Sequence, residues 1–224
     1  SVWSASIPLS QIRKTLKIKG AIYYGYRAWG ANWPYDPAWQ KGSATGFIAD
    51  VDQDGNRFNP NKLLIDPYAR EISHDPLNPR NMDASVFASG PVNRLKASGP
   101  VAPNVIVVPE LATARPGPAS PLIDDIIYEV HLRGLTNADP SIPASVRGTF
   151  RGAAMKVPVL KSLGITVVEF LPVQETQNEA NDVDPRHANY WGYSTLNYFA
   201  PERRYSSDKS PGGPTREFRS MVSA

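Results

Sequence analysis

Oxygen-bearing side chains follow directly after a predicted buried strand, at a spacing that suits cation binding. Glu175, Thr176 and Asn178 lie within four positions shortly after the apolar run Thr166–Leu171. Carboxylate and amide oxygens are typical ligands of a hard cation such as Ca²⁺ in proteins, and a hydroxyl oxygen can join them. On spacing alone, a turn or capping role explains these residues equally well, so both interpretations stay open.

An aromatic segment follows the oxygen donors in the same loop. Tyr190, Trp191 and Tyr193 surround Gly192. A flat aromatic ring suits the C–H face of a sugar, whose hydroxyls then need polar partners nearby. The alternative is a hydrophobic cluster that fixes a long loop, and the segment by itself does not separate the two. Packing is the favoured interpretation for three tryptophans in the first half, Trp29, Trp33 and Trp39.

Two other polar groupings favour a structural explanation. Glu129 and His131 stand two residues apart on a predicted strand and therefore share a face, where such a pair can act as general acid and base. We favour a buried hydrogen-bonded pair instead. The acidic segment 50–55 imitates the start of an EF-hand loop, but its twelfth position is Asn61 rather than the glutamate that the loop requires, so a polar turn is favoured.

The composition is that of an ordinary globular chain with many loops. Of 224 residues, 41% are hydrophobic and 20% charged, while the 22 prolines and 16 glycines exceed the usual share. The net charge of +3 comes from scattered basic residues, which argues against nucleic-acid binding. No apolar run approaches the ~18–20 residues of a membrane span. The absence of cysteine excludes disulfides and thiolate metal sites.

The first half of the chain has a strand-like pattern. Ala21–Ala28 alternates in the period of two that is typical of a half-buried strand, and Val105–Val108 is a second strand candidate. No helical period persists in this half. We therefore predict a partial β-sandwich over residues 1–108, followed by a proline-rich linker over 109–122.

The second half has the pattern of a parallel α/β domain. Strand candidates at Ile126–Val130 and Thr166–Leu171 flank a predicted helix at Pro158–Gly164, and a further helix follows with Thr215 as its N-cap. Between the second strand candidate and this last helix, Leu171–Pro214 is expected to form a long loop, and a loop of this length is usually functional when it is ordered. An eight-fold (β/α) barrel needs about 250 residues. Residues 123–224 are therefore predicted to hold its first two strand–helix units.

Several motifs together resemble one known family. These are the segments IIYEVHLRG (126–134), LKSLGITVVEFLPV (160–173), YWGY (190–193), YGYRAWG (24–30) and RFNPNKLLIDPYA (57–69). They are similar to the amino-terminal sandwich and the opening of the catalytic barrel in debranching members of the α-amylase superfamily, glycoside hydrolase family 13. The resemblance extends over essentially the whole chain and identifies it as a fragment of such an enzyme.

The resemblance implies roles for individual residues. Tyr193 matches the tyrosine that stacks on the sugar beside the scissile bond. Five residues match ligands of a calcium site in the family: Asp75, Glu175, Thr176, Asn178 and Glu202. Glu202 stands where the family has an aspartate, which is one methylene shorter. Calcium is therefore the expected cofactor, with an altered ligand at one position.

The resemblance also implies the reaction of the parent protein, which is retaining hydrolysis of α-1,6-glucosidic branches in glycogen and amylopectin. The catalytic carboxylates of the family come from its fourth and fifth barrel strands, so no residue here is assigned as catalytic and the fragment is expected to be inactive alone. The alternatives are a non-catalytic glucan-binding module and a structural remnant. The resemblance favours a secreted protein over a cytoplasmic one.

Overall fold

The computed structural model describes residues 5–76, 84–109, 117, 121–177 and 189–224. Within these residues, α-helices run over Leu9–Leu16 (α1), Leu132–Asn137 (α2), Phe150–Ala154 (α3), Val157–Ser162 (α4) and Gly213–Ser223 (α5). Strands in the same described ranges run over Tyr23–Tyr24 (β1), Val105–Ile106 (β2), Ile127–Val130 (β3), Val167–Phe170 (β4), Gln174–Thr176 (β5) and Thr195–Pro201 (β6). Short 3₁₀ turns lie at Ala84–Val86, Leu122–Asp124, Ala144–Val146 and Arg203–Tyr205.

The first half is mostly irregular among the described residues. Strands β1 and β2 pair antiparallel for two residues each, with Tyr23 opposite Ile106, and isolated bridges extend the pairing. The predicted strands are therefore real but much shorter than the alternation suggested. Among the described residues of 1–108, strand pairing is limited to these short segments, and turns closed by asparagine and aspartate side chains connect them, so the partial β-sandwich stays a prediction.

Helix α1 corrects the expectation that the first half contains no helix. It ends at Lys17, whose φ of 53° places it in the left-handed conformation typical of a helix C-terminus. None of its residues is buried. A helix this short and exposed gives a weak sequence pattern.

The parallel pair β3–β4 confirms the central prediction for the second half. Ile127 lies opposite Val167 and Val130 opposite Phe170, with helices α2, α3 and α4 between the two strands in sequence. Helix α4 has Pro158 in its first turn and Gly164, with a φ of +80°, just beyond its end. Both residues lie where the sequence placed the helix limits.

The core of this half lies between the helices and a 3₁₀ turn. Phe150 is fully buried and packs edge-on against Tyr205 and Phe218. Leu132 and Met221 complete the cluster and so connect α2, α3 and α5. In contrast, Ile127 of β3 is half exposed, so the described residues cover only part of the sheet surface.

The predicted long loop contains a hairpin, which the sequence did not reveal. Strands β5 and β6 pair antiparallel with two register irregularities. Helix α5 is capped by Gly212, whose φ is +82°, rather than by Thr215. The Thr215 side chain is buried and donates to the carboxylate of Glu71 in the first half of the chain.

The two halves share contacts, and the predicted limits of the domains and of the linker stay a prediction. Ala200 of β6 packs into a cluster with Ala69, Ile72 and Val105. The backbone N–H of Gly212 donates to Glu71 at 2.7 Å. Among the described residues, no helix is both long and apolar enough to cross a membrane.

Candidate functional site

Three of the predicted cation ligands lie on or directly beside the hairpin β5–β6. Glu175 and Thr176 lie on β5, and Glu202 follows directly after β6. All three are at most 1% exposed. The antiparallel pairing brings the two glutamates together across the hairpin, although 26 residues separate Thr176 from Glu202. Asn178 lies outside the described residues.

Arginine side chains bind both buried glutamates. The Nε and Nη2 atoms of Arg203 lie 2.7 and 2.5 Å from Oε1 of Glu175, and the backbone N–H of Arg203 donates to Oε2. Glu202 accepts from the Nε and backbone N–H of Arg204, and also from the backbone N–H of Thr176 at 2.9 Å. Both carboxylates are therefore held in place by several donors.

Asp75 joins this group from the first half of the chain. It is 5% exposed and lines a cavity of about 370 Å³ together with Glu202, Arg203 and Lys209. Burial alone would lower the pKa of Arg203, but the charges of Glu175, Glu202 and Asp75 raise it overall. We call Asp75, Glu175, Thr176 and Glu202 the carboxylate cluster.

The side-chain oxygens of the carboxylate cluster are of the type that binds a hard cation, but their partners in the structure are hydrogen-bond donors. Burial, and then the charge of Glu202, raise the pKa of Glu175, so a further positive charge would be favourable here. However, Arg203, Arg204 and the Thr176 N–H already bind the glutamate oxygens. Among the residues that the structure describes, no group of three or more acidic or histidine side chains is arranged to hold a metal ion.

The aromatic segment, residues 190–193, lies beside the carboxyl ends of β3 and β4. Trp191 is 58% exposed and Tyr193 is 69% exposed. Gly192 has a φ of +82°, and a Cβ there would meet Pro172, just beyond β4, at 3.2 Å. A glycine is therefore required for the backbone to pass this closely and to direct its neighbours to solvent.

His131 was expected to pair with Glu129, and this expectation is wrong. Glu129 is exposed on β3, whereas His131 is buried at the start of α2. The imidazole contacts Tyr190 instead, with Nε2 2.6 Å from the Tyr190 carbonyl oxygen. Strand β3 ends at Val130, so the alternation that placed the two side chains on one face does not reach His131.

The carboxylate cluster and the aromatic segment are directly connected. The hydroxyl of Thr176 donates to the carbonyl oxygen of Gly192 at 2.9 Å. Arg204, which binds Glu202, also donates to the carbonyl oxygen of Asn189 at 3.3 Å. These contacts were not predictable from the sequence, because the two strands of the hairpin are separated by a long insertion.

The remaining candidates have structural roles. Trp33 is 1% exposed and donates to the carbonyl oxygen of Thr45, while Trp29 packs edge-on against Trp39. In the segment 50–55, the Asp52 carboxylate accepts from the backbone N–H groups of Asp54 and Asn56. This is the polar turn that the sequence favoured.

Comparison with known proteins gives long, high-identity matches. The chain is 60% identical over 227 aligned positions to an isoamylase of a Flavobacterium species and 57% identical to the isoamylase of Pseudomonas amyloderamosa. It is also 38% identical over 90% of its length to a glycogen debranching enzyme of Serratia proteamaculans. No family model matches the chain.

Solved structures agree on the fold. The catalytic module of a multi-modular glycogen-degrading pneumococcal virulence factor superposes on 77% of this chain with a TM-score of 0.52 and 28% identity. The chain covers 24% of that module. A type I pullulanase from Bacillus subtilis, complexed with maltose, gives a TM-score of 0.51 over 72% of the chain at 24% identity, which supports the fold alone.

The extent of the match is the same in both isoamylases. All of this chain aligns, but it spans only 29% of the length of each isoamylase. The resemblance found in the sequence motifs is thereby confirmed. Over its whole length this chain is similar to one segment of the two isoamylases, and over 90% of its length to a segment of a glycogen debranching enzyme.

Proposed function

We propose that this chain is a glucan-binding segment of a debranching glycosidase and includes the start of its catalytic barrel. In this proposal the whole protein hydrolyses α-1,6-glucosidic branches of glycogen or amylopectin with retention of the anomeric configuration. The support comes from relatives that are named isoamylase and glycogen debranching enzyme. In this proposal the aromatic segment contacts the glucan, and Tyr193 stacks on a glucose ring next to the scissile bond.

The main structural support for this contact is the exposure of Tyr193. Its ring is 69% exposed, while the backbone beside it is held by Thr176 and by a required glycine. Large aromatic side chains normally bury most of their surface. A ring that is exposed on a fixed backbone offers a flat apolar surface, and this suits the C–H face of a sugar.

The chain is proposed to bind glucan without cleaving it. A retaining glycosidase needs two carboxylic acids about 5–5.5 Å apart across the bond, one as nucleophile and one as general acid. The resemblance assigns both to later barrel strands, and the described residues contain only one parallel strand pair. The buried glutamates Glu175 and Glu202 bind arginines and are not proposed as catalytic.

Calorimetric titration of the 224-residue chain with maltohexaose tests the glucan site. We expect binding that Tyr193→Ala weakens about two- to tenfold, since aromatic contacts contribute about 0.5–1.5 kcal/mol. Tyr35→Ala is the matched control, because Tyr35 is 68% exposed but lies far from Tyr193 in the sequence. Equal affinity in the two variants would refute the assignment of Tyr193. Release of reducing ends from glycogen by the chain would refute its proposed inactivity.

We further propose that the carboxylate cluster binds calcium, with Asp75, Glu175, Thr176, Glu202 and the undescribed Asn178 as the ligands that the resemblance implies. The raised pKa of Glu175 and the oxygen-rich donor set support a cation here. The ion would supply positive charge that ties β5 to Asp75 in the first half. Its binding would compete with the contact between Arg203 and Glu175.

Thermal unfolding with calcium and with a chelator tests this second proposal. At a free concentration about 100 times the dissociation constant, calcium is expected to stabilise the fold by about 2.7 kcal/mol. Glu175→Gln should abolish the response, whereas Glu217→Gln, which changes a carboxylate bound to Ser206 and Ser207, should keep it. If calcium does not change the melting temperature of the unaltered chain, the proposal is contradicted.

Export from the cell is also proposed for the whole protein, in line with the resemblance. The support is the resemblance of the sequence motifs alone. Immunodetection of the whole protein in culture medium and in cell lysate tests this, and its confinement to the lysate would contradict it.

A further inference from the structure

His131 is a buried histidine that neither proposed binding role uses. It is 8% exposed and stands between the end of β3, the start of α2 and the aromatic segment. Its ring stacks on that of Tyr190, with centroids 3.9 Å apart and planes 8° apart. It contacts Tyr205 and Trp191 edge-on. One side chain thus joins the end of a barrel strand to the segment that carries Tyr193.

The hydrogen bonds of His131 define its tautomer. Nδ1 lies 3.1 Å from the backbone N–H of Gly134, which can only donate, so Nδ1 accepts. The proton of the neutral ring is therefore on Nε2. This N–H donates to the carbonyl oxygen of Tyr190 at 2.6 Å, with the Tyr205 hydroxyl at 3.2 Å. The two ring nitrogens have separate tasks: Nδ1 caps α2, and Nε2 holds the aromatic segment.

The stacking requires an open surface on α2. A Cβ at Gly134 would lie 2.9 Å from the hydroxyl oxygen of Tyr190, so a larger residue there would displace the tyrosine. The absence of a side chain at Gly134 lets the tyrosine ring lie flat against the imidazole. Gly134 on α2 therefore leaves the space in which Tyr190 stacks on His131.

The exposed rings of Trp191 and Tyr193 are mostly in solvent, so their positions depend on the backbone of residues 190–193. That backbone is held at Gly192 by the Thr176 hydroxyl and by the Asn189 side chain, which accepts from the Gly192 N–H. Arg204 in turn donates to the carbonyl oxygen of Asn189. At Tyr190 the carbonyl oxygen is bound by His131, so the loss of His131 would release this end of the segment.

We propose that His131 is a positioning residue for glucan binding, which holds the aromatic segment against the end of β3 through its Nε2–H and its ring. This inference rests on the proposed function of Tyr193 and adds to it. The alternative is that His131 serves only as the N-cap of α2.

Two substitutions separate these roles, because each one preserves the hydrogen bond of only one of the two ring nitrogens. His131→Asn places an oxygen near the position of Nδ1, and asparagine is a favourable N-cap. His131→Gln extends further and places an N–H near the position of Nε2, without the cap. Both variants lose the ring, so they form a matched pair.

Hydrogen exchange of a peptide covering residues 189–195 is the first readout, measured on the full chain. We expect exchange about tenfold faster in His131→Asn than in His131→Gln, the factor that the loss of one hydrogen bond of typical strength produces. The affinity for maltohexaose should follow the same order, with His131→Gln the tighter binder. Protection kept by His131→Asn and lost in His131→Gln, or equal exchange in both, would overturn the proposal.

The same experiment distinguishes failure of the two proposals. If Tyr193→Ala binds maltohexaose as well as the unaltered chain, the proposed glucan contact is wrong, whatever the exchange rates show. If Tyr193→Ala weakens binding but the two His131 variants bind equally, the glucan contact stands and the positioning role of His131 is wrong.

Discussion

Glu175, Thr176 and Glu202 of the carboxylate cluster lie on or beside the hairpin β5–β6, and the aromatic segment lies in the connection just before β6, but the two regions differ in charge and in exposure. The cluster is charged and its glutamates are at most 1% exposed. The segment is uncharged, and Tyr193 is 69% exposed. Buried charges are costly unless they are paired, whereas an exposed aromatic ring contributes little to folding. The fold therefore depends on the cluster's charges staying paired, whereas the segment is available to a ligand.

The largest effect is expected where a buried charge loses its partner. Arg203→Met would leave the Glu175 carboxylate buried without its main ion pair, so the free energy of unfolding should fall by about 3–5 kcal/mol. Denaturant unfolding measures this. Lys161→Met, a cation on the exposed helix α4, is the control and should change it by less than about 0.5 kcal/mol. Similar losses in both variants would contradict the role of the cluster.

A smaller effect is expected at the residue that joins the two regions. Thr176→Val keeps the shape of the side chain but removes the bond to the Gly192 carbonyl, at a cost of about 1–3 kcal/mol. It should also speed hydrogen exchange in the aromatic segment. Thr195→Val, at the position paired with Thr176 on β6, is the control. If exchange in the segment is unchanged in Thr176→Val, the two regions are not coupled through this hydroxyl.

The sequence predicted the parallel strand pair but not the hairpin that carries both regions. Strand β4 is an apolar, β-branched run between Gly164 and Pro172, which is a strong local pattern. Strand β5 is Gln-Glu-Thr, a polar segment whose buried glutamate, Glu175, pairs with Arg203. Its partner lies beyond a long insertion. Local sequence patterns do not contain such pairings.

Individual site residues show the same limit. The spacing of Glu175 and Thr176 suggested a cation site, whereas Tyr193, Asp75 and Glu202 were identified only through the family resemblance; the structure brings Asp75, Glu175, Thr176 and Glu202 together. The alternation that paired His131 with Glu129 failed because β3 ends one residue earlier. The contact between His131 and Tyr190 spans 59 residues and had no sequence signal beyond the isolated histidine.

A pH-dependent effect is expected at His131, beside the aromatic segment. Burial is the main cause that lowers its pKa below 6.5; Arg133 and Arg204 also lower it, and the Tyr190 carbonyl opposes them. Two tyrosines also contact the ring: Tyr190 stacks on it, and the Tyr205 hydroxyl lies 3.2 Å from Nε2. The unfolded chain therefore binds a proton at His131 more readily than the folded chain does. The contribution of neutral His131 to the free energy of unfolding is thus fully present above pH about 6.5 and is lost as the pH falls below that value.

Denaturant unfolding between pH about 7.5 and 5.5 measures the His131 contribution, since the ordinary histidine pKa of about 6.5 lies in this interval. The unaltered chain should lose more stability over the interval than His131→Gln, which has no group to titrate at this position. Parallel pH profiles would show that His131 does not titrate differently in the folded and unfolded states.

The smallest effect on stability is expected at Tyr193. Its exposed ring makes few contacts, so Tyr193→Ala should change the free energy of unfolding by less than about 0.5 kcal/mol, although it weakens glucan binding. Urea unfolding of the variant tests this. A loss of stability comparable to that of Arg203→Met would mean that the ring supports the fold, and the contrast between the two regions would not hold.

The most direct test of the account is hydrogen exchange of the 224-residue chain with and without maltohexaose. Peptides that cover residues 189–195 should become protected by the oligosaccharide, while peptides that cover residues 71–75 and 200–204 at the carboxylate cluster should exchange unchanged. Protection confined to another surface, or no protection at any concentration, would contradict the claim that the aromatic segment is where this chain meets a glucan.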